Sequence, residues 1–239
     1  MASKISDAWQ VLPHGPIEQL SENLWRVEGS LKGMSLKRVM TVARSGDGSL
    51  VIHSAIALAE EEQRKLEALG TPSLLLVPNR GHRLDAPAYK KRYPALRVFA
   101  PRGGRKGVEE AVPVDGTYED FPDNDTVRLE TLEGVAEEEG VMLVRSSDGT
   151  TVVLNDVVFN MDRKKDPLGW FFTTVLGSAP GPRVSRLVKL LYVKDRKALR
   201  AELERLAAIP DLVRLIVSHE KVASGGEAAS ALRRAATYL

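Results

Sequence analysis

The segment LLLVPNRGHRLDAPAYKKRYPALRVFAP, residues 74–101, contains a strand, a helix and a second strand in succession. Residues 73–77 are a continuous apolar run of strand length, which is typical of a strand covered on both faces. Asp85 stands where it can cap a short helix that continues to Tyr93. Residues 96–100 are a second apolar strand. This order predicts βαβ construction and a layered α/β domain.

The sequence on both sides of this segment extends the same pattern. Alternating or β-branched apolar residues predict further strands, at 24–28, 38–43, 49–53, 125–132, 141–145, 150–154 and 212–217. Leucines at helical spacing predict further helices, at 57–69, 198–208 and 227–239. Gly70 is expected to stop the first of these helices. Because the composition never shifts sharply, we expect one domain over residues 1–239, with an N-terminal extension at 1–20.

The composition limits the classes of protein to consider. The 34 basic and 32 acidic side chains give a net charge of +2, which predicts no strong attraction for nucleic acid or anionic lipid. Cysteine is absent, which excludes disulfides, thiolate metal sites and cysteine nucleophiles. No stretch approaches the roughly 18 to 20 uninterrupted apolar residues that span a bilayer. We therefore expect a cytoplasmic protein with no membrane partner.

Three side chains suited to chemistry follow predicted strands. His82 follows the strand at 73–77, Asp156 closes the strand at 150–154, and His219 comes two residues after the strand at 212–217. Taken singly, each has an ordinary alternative as a loop histidine, a turn carboxylate or a capping histidine. In open α/β sheets, however, ligands bind beyond the carboxyl ends of the strands. The shared position therefore predicts that these side chains meet in one cleft.

The order of elements from about residue 24 to the C-terminus resembles the metallo-β-lactamase superfamily. The resemblance is carried by the segment at 74–101 together with LVIHSAI, residues 50–56, and LIVSHEK, residues 215–221. In particular, it points to a bacterial branch with a degenerate metal motif. The resemblance implies an α/β fold in which two mixed sheets pack face to face between helices, a four-layer αββα sandwich.

The family's His-x-His-x-Asp-His motif matches RGHRLD, residues 80–85. His82 keeps its histidine, whereas Arg80, Leu84 and Asp85 stand at the other three ligand positions. One of those changes, at Asp85, retains a side chain that can bind metal.

The resemblance places the remaining ligand positions later in the chain. Val135 occupies the position of the third zinc histidine, Asp156 that of the bridging carboxylate and His219 that of the final histidine. His53 replaces an acidic residue often found at the end of the first hairpin. Three of the seven motif positions therefore retain their residue type.

These losses argue against the family's usual pair of zinc ions. Catalytic zinc takes three protein ligands and an open position, which neither metal would keep here. We hypothesise that Arg80 neutralises Asp156 through a charge-assisted hydrogen bond and replaces the metal. The expected pocket is formed by Arg80, His82, Asp85, Asp156 and His219. It would bind a small-molecule ligand without any metal cofactor.

Two alternatives remain open. In the first, His82, Asp156 and His219, with Asp85 or His53 as a further candidate, hold one zinc or other divalent ion and the protein is a hydrolase. In the second, the basic segment 90–106 binds phosphate or nucleic acid. For that segment a solvated surface is the favoured interpretation, because acidic residues follow it.

An aromatic cluster at Trp170, Phe171 and Phe172 stands out in a chain with few aromatic residues. It could form a lid over the pocket or the contact of a homodimer. Packing in the core is slightly favoured over both.

Overall fold

The computed structural model describes residues 6–122 and 124–239. Its larger sheet has seven strands that lie side by side in chain order. They are β1 (Glu18–Ser21), β2 (Leu24–Leu31), β3 (Met34–Arg44), β4 (Ser49–His53), β5 (Thr71–Leu76), β6 (Arg97–Ala100) and β7 (Gly116–Thr117). The pairs from β1 to β4 are antiparallel, and those from β4 to β7 are parallel. The sheet is therefore mixed.

The smaller sheet has five strands in the order β12-β11-β10-β9-β8. They are β8 (Val127–Thr131), β9 (Gly140–Ser146), β10 (Gly149–Val153), β11 (Leu212–Ile216) and β12 (Ala223–Ser224). Only β10 and β11 are parallel neighbours. The carboxyl ends of these two strands consequently lie at the same edge of the sheet.

Helices cover the outer faces of both sheets. They are α1 (Glu60–Leu69), α2 (Ala86–Arg92), α3 (Arg105–Glu109), α4 (Pro167–Trp170), α5 (Arg186–Leu191), α6 (Arg196–Ala207) and α7 (Gly226–Ala236). α4 runs directly into a π-helical turn at Phe171–Val175, and single 3₁₀ turns occur at Arg80–His82 and Tyr118–Asp120. In the part of the chain described, none of the helices has the length and apolar character needed to cross a bilayer.

Alternation along the buried strands divides the core into three layers. In β5, Leu75 packs with side chains of α1, α2 and α3, whereas Leu76 packs between the sheets. In β11, Ile216 meets that same inter-sheet layer, and Leu215 packs against α6 and α7. Because successive side chains of a strand point to opposite faces, an apolar run fills two layers at once. This confirms the predicted αββα sandwich of two mixed sheets.

Some boundaries differ from the sequence predictions. The helix expected at 57–69 begins at Glu60, because Ala57 donates its backbone N–H to Asp85 and Leu58 accepts a hydrogen bond from the Trp9 indole. Its end is as predicted, because the helix stops at Leu69 and Gly70 follows it. Gly70 is extended, and a Cβ there would lie 2.3 Å from the carbonyl oxygen of Gly48. Position 70 therefore requires glycine, because the backbone of Gly48 leaves no room for a side chain.

The N-terminal extension expected at 1–20 ends inside the larger sheet. Its last three residues, 18–20, belong to the edge strand β1, which pairs with β2. Residues 1–5 lie outside the described part of the chain.

Candidate metal centre

The two sheets bring three potential metal ligands together at one edge of the sandwich. His82 ends the 3₁₀ turn that follows β5 of the larger sheet, whereas Asp156 and His219 each follow a strand of the smaller sheet by three residues. One ligand atom from each residue lies within 4.8 Å of the other two. The three residues singled out by their position after strands therefore do form one cluster.

Both histidines approach the same carboxylate oxygen. Nε2 of His82 lies 3.1 Å from Oδ1 of Asp156, and Nε2 of His219 lies 3.2 Å from that same atom. The side chains of His82 and His219 are 7% and 9% exposed, and that of Asp156 is 18% exposed. Two imidazole nitrogens and one carboxylate oxygen thus converge in a nearly dry site.

The outer nitrogen of each histidine is held by the larger sheet and the loop after it. Nδ1 of His219 lies 2.6 Å from the backbone carbonyl oxygen of Lys37 on β3, and Nδ1 of His82 lies 2.8 Å from Oγ of Ser54. A carbonyl can only accept, so Nδ1 of His219 carries a hydrogen. Nε2 of His219 then faces Oδ1 of Asp156 in one of three ways: with a second proton of its own, with a proton donated by the carboxyl, or with a cation between the two atoms.

The carboxylate of Asp156 is fixed by residues that the sequence analysis did not identify. Nδ2 of Asn79 donates to Oδ2 of Asp156 at 2.9 Å. The carboxyl of Glu139, which is fully buried, accepts the backbone N–H groups of Asp156 and Val157 at 3.1 and 3.0 Å and also accepts from Asn79. Asn79 and Glu139 therefore position Asp156 without reaching the histidines.

The electrostatics of the cluster favour an ionised Asp156. Burial raises the pKa of Asp156, but the charge of His82 and the hydrogen bonds from both histidines outweigh it and hold the pKa well below its usual range. Burial and the nearby Asp156 carboxylate raise the pKa of Glu139 well above its usual range. Asp156 is thus the anionic member of the cluster.

Aromatic side chains form one wall of the site. The Phe159 ring stacks on His219 at a centroid distance of 5.4 Å, and Phe172 lies 6.4 Å from the same imidazole. Of the predicted aromatic cluster, only Phe172 packs in this way, whereas Trp170 and Phe171 are about half exposed. The predicted packing in the core therefore holds for Phe172 and not for Trp170 or Phe171.

The predicted contact between Arg80 and Asp156 is wrong. The Arg80 side chain is 70% exposed, and its Nη2 lies 3.4 Å from the Glu110 carboxylate. Within the 3₁₀ turn, the Asn79 side chain accepts the Gly81 N–H at 2.7 Å, and the Arg80 side chain passes over Gly107 of α3. Arg80 therefore points away from Asp156 and cannot neutralise it.

Asp85 and His53 also lie outside the cluster. Oδ2 of Asp85 lies 2.5 Å from Nη2 of Arg38, in an ion pair whose side chains are both 6% exposed, and it accepts the backbone N–H of Ala57. His53 ends β4 in a fully buried position near His82. Asp85 thus serves the core rather than the pocket that the sequence predicted.

Two further positions of the family motif offer no metal ligand. Val135 is buried in the apolar layer beneath α6, and Leu84 is partly buried after the 3₁₀ turn. In residues 6–122 and 124–239, only the cluster of His82, Asp156 and His219 brings three suitable side chains together.

The basic segment 90–106 is largely neutralised by neighbouring carboxylates. Lys91 pairs with Asp7, Arg92 with Glu60 and Glu67, Arg102 with Glu119, and Arg105 with Glu109. Paired surface charges of this kind attract anions weakly. The arrangement gives the expected solvated surface more support than a phosphate or nucleic-acid site.

Burial of His53 predicts a pH-dependent contribution to stability. Burial, followed by the charge of His82, lowers the pKa of His53 to about 3 in the folded protein. In the unfolded chain, His53 binds a proton near its ordinary pKa of about 6.5. The contribution of His53 to the free energy of unfolding is therefore fully present above that pH and is lost as the pH drops toward 3. The loss is about 1.4 kcal/mol per pH unit, or about 2 kcal/mol at about pH 5.

Urea unfolding of the wild type and of His53→Gln at about pH 7 and about pH 5 measures this effect. Chelator in every buffer removes any contribution from metal release. The wild type should lose about 2 kcal/mol more than the variant between the two pH values. Equal losses would show that His53 is not held neutral by burial.

Comparisons with known proteins give a result for the fold only. No protein-family model matches the sequence, and no curated protein matches it. Among solved structures, a crystal structure of the metallo-β-lactamase DIM-1 exposed to ceftazidime aligns with 95% of this chain and 99% of its own. The TM-score is 0.63 at 13% sequence identity. The chain therefore has the metallo-β-lactamase fold.

Proposed function

We propose that His82, Asp156 and His219 hold a single divalent metal ion, and that the protein is a diverged metallo-β-lactamase-fold hydrolase with a mononuclear centre. The observation that carries this proposal is the contact of both Nε2 atoms with one oxygen of Asp156 while the Nδ1 of His219 is bound to a carbonyl. A cation between these three atoms satisfies all of them without placing an extra proton on a buried histidine.

The spacing of the donor atoms fits such an ion. Two ligands of a tetrahedral site with bonds of about 2.0 Å are separated by about 3.3 Å. The nitrogen-to-oxygen distances in the cluster are 3.1 and 3.2 Å. Two histidines and a carboxylate suit zinc, and they equally suit iron(II) or another divalent ion of the first transition series.

A second metal ion lacks ligands. Of the positions that would complete two shells, Arg80 is turned outward to Glu110, Val135 is apolar and buried, and Asp85 is bound to Arg38. This supports one ion rather than two. It also supports placing the chain in a degenerate branch of the superfamily.

The metal-free ligand pocket expected from the sequence loses its main argument. That hypothesis depended on Arg80 balancing the charge of Asp156, and Arg80 instead pairs with Glu110 at the surface. A buried carboxylate needs a compensating charge. A metal ion bound between Oδ1 of Asp156 and the two histidine Nε2 atoms supplies that charge.

A bound divalent ion supplies a Lewis acid and lowers the pKa of a coordinated water. The chain's own residues orient the site. The Lys37 carbonyl and the Ser54 hydroxyl fix the two imidazole rings, and Asn79 holds the second oxygen of Asp156. Contacts of this kind raise metal affinity and fix ligand geometry. The rings of Phe159 and Phe172 exclude water from one side of His219.

A hydrolysis screen with and without metal tests the proposed activity. Chelator-treated protein is assayed on nitrophenyl carboxylic esters, a nitrophenyl phosphodiester and a chromogenic cephalosporin, the last because DIM-1 is a metallo-β-lactamase. Adding one equivalent of Zn²⁺, Mn²⁺ or Fe²⁺ should raise the rate on at least one substrate class by about tenfold or more.

The His82→Ala variant should lose this activity, and His14→Ala is the matched control. His14 lies near the N-terminus, where its imidazole accepts the backbone N–H of Ala59, away from the cluster. Hydrolysis that is unchanged by chelator, or that survives His82→Ala, would contradict the proposed role of the metal.

A further inference from the structure

A group of exposed apolar side chains lies on one face of the molecule. We call it the apolar patch, and it consists of Leu168, Trp170, Phe171, Val175, Leu190 and Leu191, which are 40–79% exposed. Within the described residues, Val11 is the other large apolar side chain with comparable exposure. Concentrated exposure of this kind marks an interaction surface rather than ordinary scatter.

The patch comes from two segments that meet at one point. The first residue of helix α5 contacts the end of the π-helical turn Phe171–Val175, because the backbone N–H of Arg186 donates to the carbonyl of Leu176 at 2.9 Å. The guanidinium of Arg186 also reaches the carbonyl of Val175. The exposed side chains of both segments therefore lie on either side of this contact.

Cations are concentrated in the part of the chain that carries the patch. Residues 163–200 contain ten basic and two acidic side chains, although the whole chain has a net charge of only +2. The exposed members form the cationic rim, which consists of Arg163, Lys165, Arg186, Lys194, Arg196, Lys197 and Arg200. Unlike most cations of segment 90–106, none of them has a carboxylate within 4 Å in the part of the chain that the structure describes.

The rim is dense enough for its members to affect one another. Burial lowers the pKa of Lys189, and the positive charges of Arg196, Arg183 and Arg186 lower it further. Uncompensated like charges at this spacing produce a local positive potential. That potential attracts an anionic partner.

We propose that the apolar patch and the cationic rim dock the protein onto an anionic lipid surface. Aromatic and leucine side chains enter the boundary between headgroups and acyl chains, while lysines and arginines bind the headgroups. The expectation of no membrane partner rested on net charge and on the lack of a spanning segment. The net charge does not reveal that cations are concentrated in residues 163–200, and a peripheral surface needs no spanning segment.

Two other occupants fit the same observations less well. A homodimer through Trp170–Phe172, which the sequence suggested, would place each patch against its own copy and so bring two cationic rims together. Nucleic acid would complement the positive charge, but it has no apolar surface to cover Leu190 and Leu191, which are 79% and 52% exposed. A lipid surface satisfies both the charge and the apolar area.

The patch adjoins the candidate metal centre. Phe172, between Phe171 and the rest of the π-helical turn, packs near the His219 imidazole, and Val193, two residues after Leu191, forms a backbone bridge with Val135. Docking would therefore bring this edge of the sandwich close to the lipid. The docking proposal does not depend on whether a metal is bound.

Co-sedimentation with lipid vesicles tests the proposal. Wild-type protein should sediment with vesicles of phosphatidylcholine and phosphatidylserine in roughly equal amounts and should remain in solution with phosphatidylcholine alone. Trp170→Ser with Phe171→Ser should raise the lipid concentration for half binding by about tenfold or more, and so should Lys165→Glu with Arg196→Glu.

The matched controls are Val11→Ser and Lys106→Glu, an exposed apolar residue and an exposed cation outside the patch. Both should bind within about twofold of the wild type. Failure to bind the anionic vesicles would overturn the proposal, as would unchanged binding by both double variants. A dimer in light scattering that the Trp170 and Phe171 substitutions dissociate would assign the patch to a second copy instead.

Discussion

Replacing Asp156 by alanine is expected to weaken the binding of Zn²⁺ by at least about a hundredfold. Oδ1 of Asp156 is the atom that both histidines approach, so its loss removes the charged ligand shared by the whole cluster. Binding free energies of about 10–16 kcal/mol for four-ligand zinc sites amount to roughly 3 kcal/mol for each ligand. A loss of that size corresponds to a factor of about a hundred in affinity.

Competition with a chromophoric chelator measures this affinity directly. Asn79→Ala keeps all three ligands but removes the hydrogen bonds of the Asn79 side chain to Oδ2 of Asp156, to Glu139 and from the Gly81 N–H. It should weaken binding by about tenfold to a hundredfold, as expected for a residue that orients a ligand. His14→Ala should bind as the wild type does. If Asp156→Ala kept its affinity while His14→Ala lost it, the metal would be bound at His14 instead of at the cluster.

Replacing Asp85 by alanine should destabilise the fold by about 3–5 kcal/mol. The substitution leaves the Arg38 guanidinium buried without its anionic partner, and it removes the acceptor of the Ala57 N–H. An unpaired buried charge costs far more than the pair itself contributes. Urea unfolding gives the free energy difference.

The double variant Arg38→Met with Asp85→Ala is the control for this prediction. Because it removes both charges, it should recover much of the lost stability. A cost below about 1 kcal/mol for Asp85→Ala would contradict the structural role. Unchanged affinity for Zn²⁺ in Asp85→Ala would separate this role from that of a metal ligand.

Local sequence patterns predicted a layered α/β domain, and the resemblance supplied the order αββα of its four layers. Apolar runs such as those of β5 and β11 fill two layers of core, and their length and flanking turns identify them as strands. The elements that were missed are short. β7 and β12 have two residues each, and α3 has five, so no periodicity can develop in them.

The site was predictable only where chain position determines it. His82, Asp156 and His219 each follow a strand, and the resemblance assigns all three to ligand positions, so their convergence could be expected. Asn79 and Glu139 could not be identified in this way, because their contacts join positions about sixty residues apart and depend on how the two sheets pack.

Side-chain direction explains the two wrong assignments. Arg80 lies two residues from His82, but the 3₁₀ turn and α3 direct it toward Glu110. Asp85, which precedes α2, forms an ion pair with Arg38 on β3, and these two residues are far apart in the sequence. Both outcomes depend on tertiary neighbours that a one-dimensional motif alignment does not contain.

The metal content of the protein tests the central claim most directly. The protein is saturated with Zn²⁺, dialysed against metal-free buffer, and analysed for bound zinc by mass spectrometry. A single equivalent per chain, reduced to near zero by Asp156→Ala, is the expected result. Two equivalents per chain would restore the binuclear centre, and no retained zinc, iron or manganese would show that the cluster is held by protons instead.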